Sequence, residues 1–191
     1  MRSERGSVIA FAGRRIDPAG AQPPRFPLDR VDAVRSTLRR LFETRNPAVI
    51  VASAACGADL IAAQLAGELG IRARIVLPFA PEDFRESSVT DRPGNWADAF
   101  DLAIARARAT DDLVVLHHAG SGGPAYAAAS SAILDEAIRV ARERDVEPRA
   151  VVAWDGGSRG SGDLTEAFRR EAVERGLVVE EIATLDAELI G

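Results

Sequence analysis

Lysine is absent from this chain: all 24 basic residues other than histidine are arginines. That absence excludes whole classes of chemistry. A P-loop needs a lysine on the phosphates, a pyridoxal enzyme needs a Schiff-base lysine, and a protein kinase needs its strand lysine. The Tyr-Lys pair of short-chain dehydrogenases is excluded too. A single cysteine, Cys56, leaves no intrachain disulfide and no four-cysteine zinc site. No apolar run approaches the roughly 20 residues of a membrane helix. The formal net charge of −5 and an aromatic fraction of 5% disfavour nucleic acid as a partner, because strand binding needs a basic groove and stacking platforms. Met1 to Ser7 is polar and lacks a signal-peptide pattern, so a cytoplasmic location is expected.

What is present reads as an ordinary globular protein, with 47% hydrophobic and 28% charged residues. Its 191 residues are expected to form a single domain. Short apolar runs at Ser7–Ala12, Ala48–Ala52, Ala73–Pro78, Asp112–His117, Ala150–Trp154 and Leu177–Ile182 read as six strands. The run with arginines, Ala73–Pro78, is expected to be less completely buried. Helices are expected over Leu28–Thr44, Ala58–Leu69, Asn95–Ala109, Pro124–Arg144 and Leu164–Arg175. Gly70 and Gly176 suit C-terminal caps, Asn95 and Asp163 suit N-caps, and Asp163 with Glu166 makes a capping-box pattern. Phe79–Gly94, with Pro81, Pro93 and Gly94, reads as a long functional loop. Alternation of this kind predicts an α/β fold: a doubly wound, Rossmann-like parallel sheet of about six strands with helices on both faces. By analogy with other doubly wound sheets the expected strand order is 3-2-1-4-5-6.

In such sheets ligands sit beyond the carboxyl ends of the strands. The first strand end carries Gly13-Arg14-Arg15-Ile16-Asp17, whose guanidiniums suit phosphate oxygens or solvent. The second carries Ser53-Ala54-Ala55-Cys56-Gly57-Ala58-Asp59, small residues that open a helix. They fit either close backbone approach to a phosphate or tight strand–helix packing. Pro78 ends the third strand, His117 and His118 the fourth, and Asp155-Gly156-Gly157 the fifth. The Gly-rich Gly156 to Gly162 segment is a second candidate phosphate cradle, although no G-x-G-x-x-G follows the first strand. Cys56 is either a reactive thiol at a helix start or a small buried filler. The two histidines have no companion cluster, so no metal site is expected. Trp154 and Tyr126 suit either a stacked base or the core. The Trp96, Phe100 and Ile104 stripe reads as helical core.

Taken together, FAGRRID, SAACGADLIAA, IVLPF with EDFRESSV, and WDGG with GSGDLT resemble the SLOG superfamily of DprA-like and LOG-like Rossmannoid proteins. The resemblance runs from about Val8 to Ile182. It is nearest to a bacterial branch with G-H-R-x-D after strand one and [ST]-x-A-x-G-A-D after strand two. Arg14 stands where that branch usually has histidine, and the P-G-G-x-G-T-x-x-E of the enzymatic members is reduced to Gly160-Ser161-Gly162-Asp163-Leu164-Thr165.

The resemblance implies a nucleotide or nucleotide-derived ligand; no cofactor is expected. It places Gly13, Arg15 and Asp17 in a first binding turn, Ser53, Gly57 and Asp59 in a second, and Gly162 and Thr165 in a phosphate loop. With the strand-end residues, the candidate ligand contacts are Gly13, Arg14, Arg15, Asp17, Ser53, Cys56, Gly57, Asp59, Pro78, Trp154, Gly160, Gly162 and Thr165. Two functions follow. The first is a ligand-binding or sensory module. The second is a nucleoside 5′-monophosphate N-glycosidase, for which Asp59 and Glu166 are the candidate catalytic carboxylates. A single-strand DNA binder is a third and weaker reading. A homodimer is a mild expectation.

Overall fold

The computed structural model describes residues 6–118 and 122–185. Its six strands are β1 (Val8–Gly13), β2 (Val49–Ala52), β3 (Arg72–Leu77), β4 (Leu113–Val115), β5 (Pro148–Trp154) and β6 (Val178–Ala183). Its helices are α1 (Val31–Arg45), entered through a 3-10 turn at Leu28–Arg30, then α2 (Ala58–Leu69), α3 (Pro81–Ser88), α4 (Ala97–Ala109), α5 (Gly123–Arg144) and α6 (Leu164–Glu174). All strand pairs are parallel. The fold is the expected doubly wound α/β sheet.

Alternation along the strands builds two cores. Ile9 and Phe11 of β1 pack on one face with Ile50, Ile75 and Leu77, under α1, α2 and α4. Val8 and Ala10 face the other way, with Val49, Val51 and Val76, under α5 and α6. Helix α2 has small or apolar residues on nearly every side and is buried over most of its length. Gly70 ends it in the left-handed region at φ 69°. Strand β3 is exposed to half-buried in its first three residues and buried in the last three, as its arginines imply.

The strand order is β4-β3-β2-β1-β5-β6, which corrects the expected 3-2-1-4-5-6. Strand β4 lies outside β3, and β1 lies between β2 and β5. Two features account for this. With three half-buried residues, β4 suits an edge and not the centre. The 22 residues of α5 span about 33 Å, enough to cross back from the β4 edge to β5. The direction of winding therefore reverses between β1 and β5.

Two local expectations also change. The Phe79–Gly94 segment is not all loop, because α3 occupies Pro81–Ser88 with Pro81 in the first turn and Glu82 and Asp83 beside it. Asn95 is not the cap of α4. Trp96 takes the N-cap position without a side-chain cap and donates Nε1–H to Pro93 O at 2.9 Å. Of the Gly-rich segment before α5, residues 119–121 lie outside the described residues.

Candidate functional site

The carboxyl ends of β1, β2 and β3 and the start of α6 surround a cavity of about 510 Å³. Gly13, Ser53 and Pro78 line it from the strand ends, and Gly162 and Thr165 from the start of α6. The backbone at this edge is closely packed. An isolated bridge joins Arg15 to Gly57. Gly57 has φ 103°, and a Cβ there would lie 2.8 Å from Arg14 O and from Ile16 N. Gly57 is thus needed for the approach of two chain segments. A Cβ on Gly13 would fall 2.4 Å from the Ala58 Cβ, which explains that glycine by helix packing.

Arg14 turns inward. Its Nε donates to Asp155 Oδ1 at 2.7 Å, its Nη1 and Nη2 to the two Asp163 oxygens at 2.5 and 2.8 Å, and Nη2 also to Gly157 O at 2.7 Å. The residue is 5% exposed, with its guanidinium 5.8 Å from the centre of the Trp154 ring. These donors are engaged by protein, so Arg14 ties β1 to the β5–α6 connection instead of presenting a fork to the cavity. Asp163 takes more load still. It accepts from the backbone N–H of Thr165 and Glu166 at 3.1 Å, capping α6, and from that of Arg159 at 2.9 Å. Burial raises its pKa, but Arg14 and these N–H groups outweigh it and bring the carboxyl to about 2. Arg25 reinforces the junction through Asp155 Oδ2 at 2.8 Å and Gly157 O at 2.7 Å. Asp17 closes its own loop, accepting from Arg25 N at 2.8 Å and Phe26 N at 2.9 Å while lining the cavity.

The cations that remain for a ligand are Arg15, Arg92 and Arg159, all lining the cavity. Arg15 pairs with Asp91 through Nη2, yet its buried Nε has no hydrogen-bond partner among the described residues. Arg92 holds Asp91 at 3.4 Å. Arg159 is exposed at the rim, and its side chain makes no ion pair or hydrogen bond among the described residues. Partial burial, then repulsion from Arg14 and Arg25, lowers its pKa.

Asp59 is, with Asp17 and Asp163, one of three buried acids lining the cavity. It is 7% exposed, its Oδ2 accepts weakly from Ala55 N at 3.4 Å, and its Oδ1 has no partner among the described residues. Burial pushes its pKa up to about 7, against the pull of the Ala55 and Gly13 N–H groups and of Arg15.

The far wall is aromatic and hydroxylic. Tyr126 of α5 places its OH 3.0 Å from Ser88 Oγ and 3.3 Å from Ser87 Oγ of α3. Its ring packs edge-on to Phe79 at 5.7 Å and tilted to Phe84 at 6.4 Å. Sequence reasoning missed Ser87, Ser88, Arg92 and Arg159 as site residues. The one available signal was Pro81-Glu82-Asp83, a helix start that would have put the two serines on a helix facing the strand ends.

Several candidates do not line the cavity. Cys56 is fully buried, its thiol pKa pushed up by burial against the pull of nearby Arg15, which is the opposite of an activated thiol. Trp154 donates Nε1–H to Glu181 at 2.8 Å and lies against Arg14 and Arg169. Gly57 and Gly160 serve backbone turns, the latter at φ 88°. Glu166 accepts from Ser158 Oγ, so only half of the capping box forms: the Asp163 N–H goes to Gly160 O at 3.1 Å instead. His117 sits at φ 52° after β4. Among the described residues no three His, Cys, Asp or Glu side chains are grouped to hold a metal ion, and no helix is long and apolar enough to cross a membrane.

The sequence matches no family model and no curated protein. Among solved structures, the chain is similar to the X-ray structure of DNA processing protein A (DprA) from Streptococcus pneumoniae. The TM-score is 0.42 at 16% identity, covering 92% of this chain and 58% of that one. The chain thus spans less than two thirds of that protein's length.

Proposed function

We propose that this protein binds a nucleoside phosphate, or a compound derived from one, in the cavity beyond β1 and β2, acting as a ligand-binding module of one Rossmann-like domain. One observation carries the reading. The cavity has a rim arginine, Arg159, whose side chain makes no direct ion pair among the described residues, and an aromatic and hydroxylic wall around Tyr126. An exposed guanidinium at the rim favours a phosphate, and a ring-lined wall favours a heterocycle. The buried, unpartnered Arg15 Nε adds a second donor for an anion. The resemblance of FAGRRID and SAACGAD to the SLOG superfamily points the same way. The net charge of −5 speaks against single-stranded DNA as the ligand.

Thermal melts against nucleosides, nucleoside mono-, di- and triphosphates, NAD, ADP-ribose and cyclic nucleotides test the proposal. A ligand at 100 times its Kd stabilises the native state by about 2.7 kcal/mol. A shift with phosphorylated compounds is expected. No shift with any of them contradicts the reading.

Asp59 favours a second reading, cleavage of the N-glycosidic bond. A buried acid with a pKa near 7 and a free oxygen is suited to proton transfer. In that reaction water forms a new bond to the anomeric carbon as the bond to the base breaks, and the carboxyl relays the proton. Free base released from a nucleoside monophosphate, and lost in Asp59→Asn, would establish it. Intact ligand after long incubation leaves binding alone.

A further inference from the structure

The nucleoside-phosphate reading leaves open what sits in the middle of the cavity. Asp59 stands at the start of α2, directly after β2. In the order β3-β2-β1-β5, the α3 serines follow β3 and Arg159 follows β5. Three strand spacings, about 14 Å, separate those two strands, and Asp59 rises from between them. In a nucleoside monophosphate laid from the Tyr126 wall to Arg159, the central piece is the sugar.

The chemistry of Asp59 fits a sugar hydroxyl better than a base N–H. Its Oδ1 is buried and unpartnered, a state that costs free energy until a ligand satisfies it. A hydroxyl both donates and accepts, so it pairs with a carboxylate and with a carboxylic acid. An N–H pairs only with a free acceptor oxygen. Asp59 titrates near neutrality, so a partner that suits both forms is the better match. Arg15 is the charged group that pulls on it, and Asp17 also lines the same cavity.

We infer that Asp59 is a specificity-determining residue that binds a ribose hydroxyl, so that the site selects ribonucleotides over their deoxy counterparts. The inference rests on the nucleoside-phosphate reading.

The experiment is calorimetric titration of the full chain with the four ribonucleoside 5′-monophosphates and their 2′-deoxy and 3′-deoxy analogues. For any base that binds, at least one deoxy analogue is expected to bind about 10- to 100-fold more weakly, since it leaves the buried oxygen unpaired. In Asp59→Ala that ratio should collapse to within about twofold, the acceptor having been removed. The ligand-side comparison uses the unmodified protein and does not depend on how the variant folds. Equal binding of ribo and both deoxy forms overturns the inference while leaving the nucleoside-phosphate reading intact, as does discrimination that survives Asp59→Ala. If the melts show another nucleotide class to bind in place of the monophosphates, the same ribo-against-deoxy comparison is made with that class; if no nucleotide binds, the broader reading falls and this one with it.

Discussion

Arg14 and Asp163 meet through two hydrogen bonds, at 2.5 and 2.8 Å, across 149 positions of sequence. The pair joins the end of the first strand to the cap of the last described helix. Because the carboxylate also caps α6 and holds the Arg159 N–H, one ion pair sets the geometry of the loop that presents Arg159.

Removing the arginine should therefore be costly. Arg14→Ala leaves Asp163 buried without its cation, and Asp155 with Arg25 alone, and is expected to destabilise the fold by about 3–5 kcal/mol. Arg14→Lys should restore little, because a single ammonium cannot reproduce the fork onto two carboxylates and a carbonyl. Chemical denaturation of the two variants checks both points.

Asp59 and Asp163 should impose opposite pH dependences. The folded pKa of Asp59, about 7, lies above its ordinary 3.8. Between those values the native state binds more protons than the unfolded chain, so stability falls as pH rises and levels off above pH 7. The contribution lost from pH 5 to pH 8 is about 2–3 kcal/mol. Denaturation at the two pH values should show this loss in the native sequence and not in Asp59→Asn.

The Asp163 carboxyl, at about 2, is displaced the other way. Its stabilisation is complete above its ordinary 3.8 and is lost as pH falls through 2. Acid titration followed by circular dichroism should show a stability loss beginning below about pH 4. Asp163→Asn should flatten that acid limb and lower stability at neutral pH, where it weakens both the cap and the arginine pair.

Gly57→Ala places a Cβ 2.8 Å from Arg14 O at φ 103°. The strain and the crowding should cost about 1–3 kcal/mol. The substitution should also push the Arg14–Ile16 segment away from α2, weakening ligand binding along with stability.

How much of this was legible in the sequence depended on where the partners lay. Helix α2 was read to its bounds, because a nearly continuous apolar run is punctuated by Gly57 and Gly70. Helix α3 was missed because Pro81–Ser88 is mostly polar and buries only Phe84 and Ser88, too little for a periodic signal. The strand order turned on the shortness of β4 and the length of α5, and the latter was visible but not weighed. Asp59 was singled out from a local motif, and the structure places it in the cavity. Arg14 was read as either a phosphate ligand or a solvated arginine, because its partners in the structure, Asp155 and Asp163, are 141 and 149 positions away. Arg159 sits in a loop of glycines and serines with no pattern to mark it.

The most direct test of the central claim compares a nucleoside with its 5′-monophosphate on the native protein and on Arg159→Ala, by calorimetry. The account predicts that the native protein binds the monophosphate more tightly by at least about tenfold. In Arg159→Ala most of that preference should be lost, with Arg15 keeping the remainder, and binding of the nucleoside itself should be unchanged. Equal affinities on the native protein, or a phosphate preference that persists undiminished without Arg159, would contradict it.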